Sequence, residues 1–355
     1  MVTFIRSIRK PFYYRLSTAP HAGFRLHSAF VLLFAMAITT RLFKSFSRLM
    51  FPVLMLILVA VISGSVWLVY TTARPFNSRY LVTPDKYGQL SSRAAQVTDE
   101  TWVNKDGSSS RGWLLRGTDN SPAVILLHKY GADRSYVLNL GVKLNESTNF
   151  TVLMPDQRAH GENPLVKNAS FGGCEGEDTL AALEFLRSLK TPNQIALVGK
   201  NFGIYGVEMG AMVAISASAK NQDVKAIVLD SVPPDSYGVL KESVVKRYPF
   251  ASVVTTNLAR LGTYMYYFDG CYQREPVCDT ARKVENRNIL LLSGIEDQNL
   301  QDSTSRLSKC FPASNKLESK LDLSPSGLGI INASIEQSEA YDQRLIDFFG
   351  EALSN

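Results

Sequence analysis

The chain has 355 residues, enough for one large domain with extensions, and its 45% hydrophobic and 20% charged content is that of a globular protein. A formal charge of +6 does not mark a polyanion binder: eight of the 38 basic residues and none of the acidic ones lie in residues 1–50, leaving 30 basic against 32 acidic residues elsewhere. No zinc-finger spacing, phosphate loop or dinucleotide fingerprint is present, so no metal, cofactor or nucleic-acid partner is expected.

Residues 1–50 form a basic N-terminal segment. Next comes "FPVLMLILVAVISGSVWLVY" (51–70), twenty residues without a charge, the length needed to cross a bilayer as a helix. Trp67 and Tyr70 stand near its end, where amphipathic rings favour the interface. A core helix would carry a polar face, and a signal peptide has a shorter apolar core. The reading is a retained transmembrane helix over 51–73, with the basic side cytoplasmic and the C-terminal domain extracytoplasmic. A second apolar run, 28–40, lies in the interface or makes a short extra span. Met1 and Met50 are both candidate starts.

Residues 74–92 read as a linker, and 93–350 as the main domain. "QVTDETWV" (96–103) and "RGWLLRG" (111–117) around "NKDGSSS" predict an antiparallel hairpin. Buried strands are expected at "AVILLH" (123–128), "FTVLMP" (150–155), up to "NFGIYG" (201–206), at "VKAIVLD" (224–230) and at "NILLLSG" (288–294). Helical spacing falls between them, in "RSYVLNLGVKLNES", "EDTLAALEFLRSL" and "AMVAISASA", and ends the chain in "SEAYDQRLIDFFGEAL". Alternating strands and helices imply a mostly parallel sheet covered on both faces, with the hairpin at one edge. Residues 231–288 read as an inserted, partly helical cap over the sheet's C-terminal edge.

Cys174, Cys271, Cys278 and Cys310 all follow the span. Four cysteines allow three full pairings, and Cys271 and Cys278 are spaced to close a small loop. An exported domain favours disulfides over thiols. Asn145, Asn168 and Asn332 each open an Asn-x-Ser triplet, glycosylated only in a host with that machinery.

The order of these motifs resembles the α/β-hydrolase fold over about residues 78–350. "LLHKYGADRS" resembles the oxyanion-hole segment, "PDQRAHGEN" the Asp-x-Arg-Gly-His-Gly loop, "GVEMG" the nucleophile elbow Gly-x-Ser-x-Gly, and "LLLSGIEDQNL" the strand and loop bearing the triad acid. The resemblance implies an elbow at Glu208, an acid at Glu296 or Asp297, an oxyanion region of Lys129, Tyr130 and Met209, and His128 and His160 as pocket residues. "GKNFG" (199–203) also has elbow spacing, with Asn201 in the slot. The two further glycines that follow it argue against a helix there.

The chemistry departs from the family. A serine hydrolase needs a hydroxyl nucleophile, an imidazole base, an orienting acid and oxyanion donors. The serine's slot holds Glu208, and no His follows His160. His21 and His27 precede the span; Gln337 or a neighbour stands where the late His belongs, and an amide cannot shuttle protons. Lys129 replaces the usual Gly after His128; side-chain bulk there is expected to fill the oxyanion position, and Lys129 to pair with Glu208. The expected function is a membrane-anchored pseudo-hydrolase that binds a small molecule or protein in the cap cleft. The alternative is an active ester, amide or epoxide hydrolase using Glu208 as nucleophile or base. A structural or envelope role is a third reading.

Overall fold

The computed structural model describes residues 23–75, 80–89, 93–162, 166–268 and 270–354, and the chain divides into two units at Ala60/Val61. Helix α1 (Gly23–Thr72) begins in the first and contains Pro52 without interruption. Its portion Phe46–Thr72 is long and apolar enough to cross a membrane, with 6% of its most apolar window buried in protein. The run 28–40 belongs to this same helix; its side chains, and those of His21 and His27, lie outside the described residues.

The second unit opens with the last turns of α1 and continues through α2 (Pro84–Tyr87) into β1 (Thr98–Val103) and β2 (Ser109–Leu115). Then follow β3 (Ser121–Leu127), α3 (Leu138–Thr148), β4 (Thr151–Asp156), α4 (Cys174–Ser188), β5 (Val198–Val207), α5 (Met209–Lys220) and β6 (Val224–Asp230). Helices α6 (Ser236–Arg247), α7 (Ser252–Tyr266) and α8 (Val277–Ala281) stand between β6 and β7 (Asn288–Gly294). The chain ends with α9 (Gln298–Leu307), β8 (Lys316–Leu323) and α10 (Ile335–Leu353).

All eight strands form one sheet, ordered β1-β2-β4-β3-β5-β6-β7-β8. The β1–β2 hairpin occupies one edge, and β2 alone runs against the rest. Alternation along the strands splits the core into two layers. Ile125, Leu127, Ile204, Ile227 and Leu229 face α4 and α5. Val124, Leu126, Val207, Val228 and Leu290 face α3 and α10. Register aligns Leu127 with Gly206 and Val207 with Asp230, so the residues after β3, β5 and β6 converge at the sheet's C-terminal edge.

Two disulfides fasten the segment between β6 and β7. Cys174 pairs with Cys271 and Cys278 with Cys310, at Cα separations of 5.1 and 5.3 Å. The small loop expected from Cys271 and Cys278 is therefore not closed. Cys271 lies against the start of α4, where the absence of a side chain at Gly173 leaves room for its backbone. Cys278 sits on α8 and faces the end of α9.

Candidate functional site

β5 ends at Val207 and α5 begins at Met209, so Glu208 alone makes the corner, with φ 52° and ψ −111°. A non-glycine residue in that region carries strain of about 1–3 kcal/mol. Two glycines make room for the tight corner. A Cβ on Gly206 would come within 2.2 Å of the Gly210 backbone, and one on Gly210 within 2.5 Å of the Leu127 carbonyl oxygen. The Glu208 N–H donates to the Asp230 carbonyl at 2.9 Å, tying the corner to the next strand. Met209 is buried as the first residue of α5. Asn201 lies inside β5, so the competing "GKNFG" makes no turn.

The Glu208 side chain is buried, and its Oε2 accepts from the Tyr130 N–H at 2.8 Å. That amide belongs to the loop after β3, where the resemblance puts an oxyanion donor. The Glu208 carboxylate is the group hydrogen-bonded to this amide. The expected Lys129–Glu208 pair is not formed: Lys129 Nζ donates to the Leu328 carbonyl at 2.9 Å and sits 5.0 Å from the Tyr136 ring centre. Lys129 still favours the charged carboxylate electrostatically. Burial wins, with help from Glu242, and the Glu208 carboxyl is pushed up to about 7. Burial also pulls the Lys129 ammonium down.

Both pocket histidines are committed elsewhere. His128 Nε2 accepts from the Gln157 N–H at 3.1 Å, and His160 Nε2 from the Gly131 N–H at 3.0 Å. That tautomer leaves each Nδ1–H to donate, to the carbonyls of Lys129 and Arg158 respectively. Burial lowers His128 to about 4, and burial with the neighbouring His128 lowers His160 to about 3. Two neutral rings with both nitrogens engaged brace the loops after β3 and β4.

Glu296 and Asp297, the residues expected as the acid, both lie in the loop after β7 and have different partners. Asp297 is the N-cap of α9, its Oδ1 accepting from the Leu300 N–H at 3.1 Å. Its neighbour Glu296 turns to the loop after β8, where Oε1 accepts from the Ser326 N–H at 2.9 Å and from the Ser326 hydroxyl. Ser326 is thus the side chain hydrogen-bonded to Glu296. Gln337 forms the capping box of α10 with Ser334. The same loop is anchored by Asp230, unremarked in the sequence. Its Oδ2 accepts from the Tyr341 hydroxyl at 2.6 Å and the Gly327 N–H at 2.8 Å.

A cleft of about 410 Å³ opens beside Glu208. Lys129 and Tyr130 line it from the sheet side, Glu242, Lys246 and Arg247 from α6, and Thr72 from the end of α1. Tyr130 joins these parts: its hydroxyl donates to the Thr72 carbonyl and its ring stacks on Phe171 at 5.4 Å. Chemically, the site offers a buried carboxyl titrating near neutrality under three cations. Among the described residues, no His, Cys, Asp or Glu cluster is arranged to hold a metal ion.

No family model matches the chain. Thiohydrolase aneE of Aspergillus aculeatus is 27% identical over 41% of this chain, which spans only 43% of that protein's length. Protein bem46 of Schizosaccharomyces pombe is 22% identical over 65% of this chain and 69% of its own. Among solved structures, the Pyrococcus furiosus esterase Pf2001 superposes with a TM-score of 0.58 at 21% identity, covering 79% of this chain and 99% of the esterase. The α/β hydrolase GrgF of Penicillium sp. sh18 gives 0.54 at 15% identity, covering 73% and 99%. With the strand order, the strained corner after β5 and the insertion after β6, these likenesses give the chain the α/β-hydrolase fold.

Proposed function

We propose that this chain is a membrane-anchored pseudo-hydrolase that binds a small molecule or a protein segment in the cleft between Glu208 and α6. The observation that carries this reading is the Glu208 Oε2 to Tyr130 N–H bond, in which the elbow side chain occupies its own oxyanion donor. Ser326, rather than a His, against Glu296 and the engaged nitrogens of His128 and His160 support it. The apolar stretch Phe46–Thr72 supports the anchor. The basic N-terminal segment supports a cytoplasmic N-terminus, and the two disulfides an extracytoplasmic domain.

The test uses the full chain in nanodiscs with aryl esters, thioesters, amides and an epoxide. The expected result is no turnover above that of Glu208→Gln, and no labelling by a fluorophosphonate. Turnover that disappears in Glu208→Gln overturns the reading. It would favour instead a hydrolase using Glu208 as nucleophile or base, a role to which a carboxyl near 7 is suited.

A further inference from the structure

Helix α7 presents an apolar face to solvent. Val253, Val254, Leu261 and Tyr264 are exposed and lie within about 100° of one another around the helix axis, at 100° per residue; the exposed Asn257 shares this arc, its amide donating to the Val253 carbonyl at 2.8 Å. Thr256, Ala259, Gly262 and Thr263 cover the opposite side and are buried. Phe250, before the helix, and Phe268, after it, extend the exposed face. A surface helix of a soluble domain shows the reverse pattern, with polar residues outward. Other exposed apolar side chains of this unit, such as Val103, Ile195 and Ile335, belong to separate elements or connections.

The position of α7 identifies what covers this face. Gly262 packs so closely on α1 that a Cβ there would come within 2.2 Å of the Ser65 carbonyl oxygen. Tyr266 meets Tyr70 edge-on at 6.4 Å, and Tyr248, before α7, meets Trp67 at 6.0 Å. Ser65, Trp67 and Tyr70 all belong to the stretch long and apolar enough to span a bilayer. Ser65 lies about 10 Å of helix rise before Thr72, comparable to the burial depth of an interfacial helix. Whatever depth those turns occupy, α7 occupies beside them.

We infer that the outer face of α7, with Phe250 and Phe268, is embedded in the membrane beside α1, making the segment between β6 and β7 a second, monotopic attachment to the bilayer. This rests on reading α1 as a span. Lipid supplies the apolar partner that the face otherwise lacks, and Arg247, Arg260 and Arg274 bring cations near phosphate headgroups.

The test is photolabelling of the full chain in phosphatidylcholine–phosphatidylglycerol vesicles with a membrane-partitioned aryl diazirine, sites being read by peptide mass spectrometry. The expected result is label on residues 51–64 and on 250–268, the latter several-fold above Ile331 and Ile335, which are also exposed. Label on 51–64 without 250–268 overturns the inference and leaves the span intact. Label on neither segment overturns both. Equal label on 250–268 and on Ile331 and Ile335 marks the face as merely exposed, and also overturns the inference.

Discussion

A carboxylate at a helix N-terminus normally gains from the partial positive charge there. Glu208 has that placement and an amide donor, yet its proton affinity rises because burial outweighs both. Its pKa of about 7 exceeds the ordinary 4.5, so between those values the folded chain holds a proton that the unfolded chain has released. Stability therefore falls as pH rises through this window, and the penalty is complete above it. Glu208→Gln keeps an acceptor for the Tyr130 N–H and does not titrate. Its melting temperature should match the wild type near pH 4.5 and exceed it at pH 8, by up to about 3 kcal/mol in stability. Equal pH dependence in the two proteins would refute the assignment.

The same residue separates two causes of inactivity. Glu208→Ser restores a hydroxyl and frees the Tyr130 amide but supplies no base. The single variant should stay unreactive towards a fluorophosphonate, whereas Glu208→Ser with Ser326→His, placed against Glu296, should label measurably. Labelling of the single variant would show that the missing imidazole is not what limits the site. Glu208 was legible from "GVEMG" because close glycines leave a local pattern. Glu296–Ser326 and Asp230–Gly327 were not, since they join residues 30 and 97 positions apart with no local periodicity.

Among the elements, buried strands were read most clearly: β6 and β7 occupy the very residues quoted for them. Both are continuous apolar runs. β8, "KLESKLDL", was missed because it forms the sheet's edge with much of its length exposed, so charge interrupts the apolar signal. α9 begins in the loop read as bearing the triad acid, where Asp297 is in fact its cap. Cysteine pairing was unreadable for a different reason: spacing along the chain does not report which backbones touch. Non-reducing peptide mapping should find Cys174–Cys271 and Cys278–Cys310, and no Cys271–Cys278 species. Replacing Cys174 and Cys271 by Ala should lower stability by about 2–4 kcal/mol.

At the scale of the molecule, the end of the apolar helix belongs to the domain with the α/β-hydrolase fold rather than to a tether. Leu68, Val69 and Thr72 are buried, and the Thr72 carbonyl takes the Tyr130 hydroxyl. A chain beginning at Val61 should therefore fold and melt higher than one beginning at residue 76, compared in the same detergent by circular dichroism. Identical melting would assign residues 61–72 to a passive linker. Composition alone marked an apolar stretch long enough to span a bilayer; the packing of its end depends on Ser65 and Gly262, two inconspicuous residues that admit close backbone contact.

The sharp corner after β5 is fixed by what stands on either side of it. The absence of side chains at Gly206 and Gly210 lets β5, α5 and the end of β3 approach closely on both sides of position 208. The position is thus a socket: swapping its occupant alters reach and acidity while the rail that delivers it stays put. Changes at this one position can therefore be compared on an unchanged sheet.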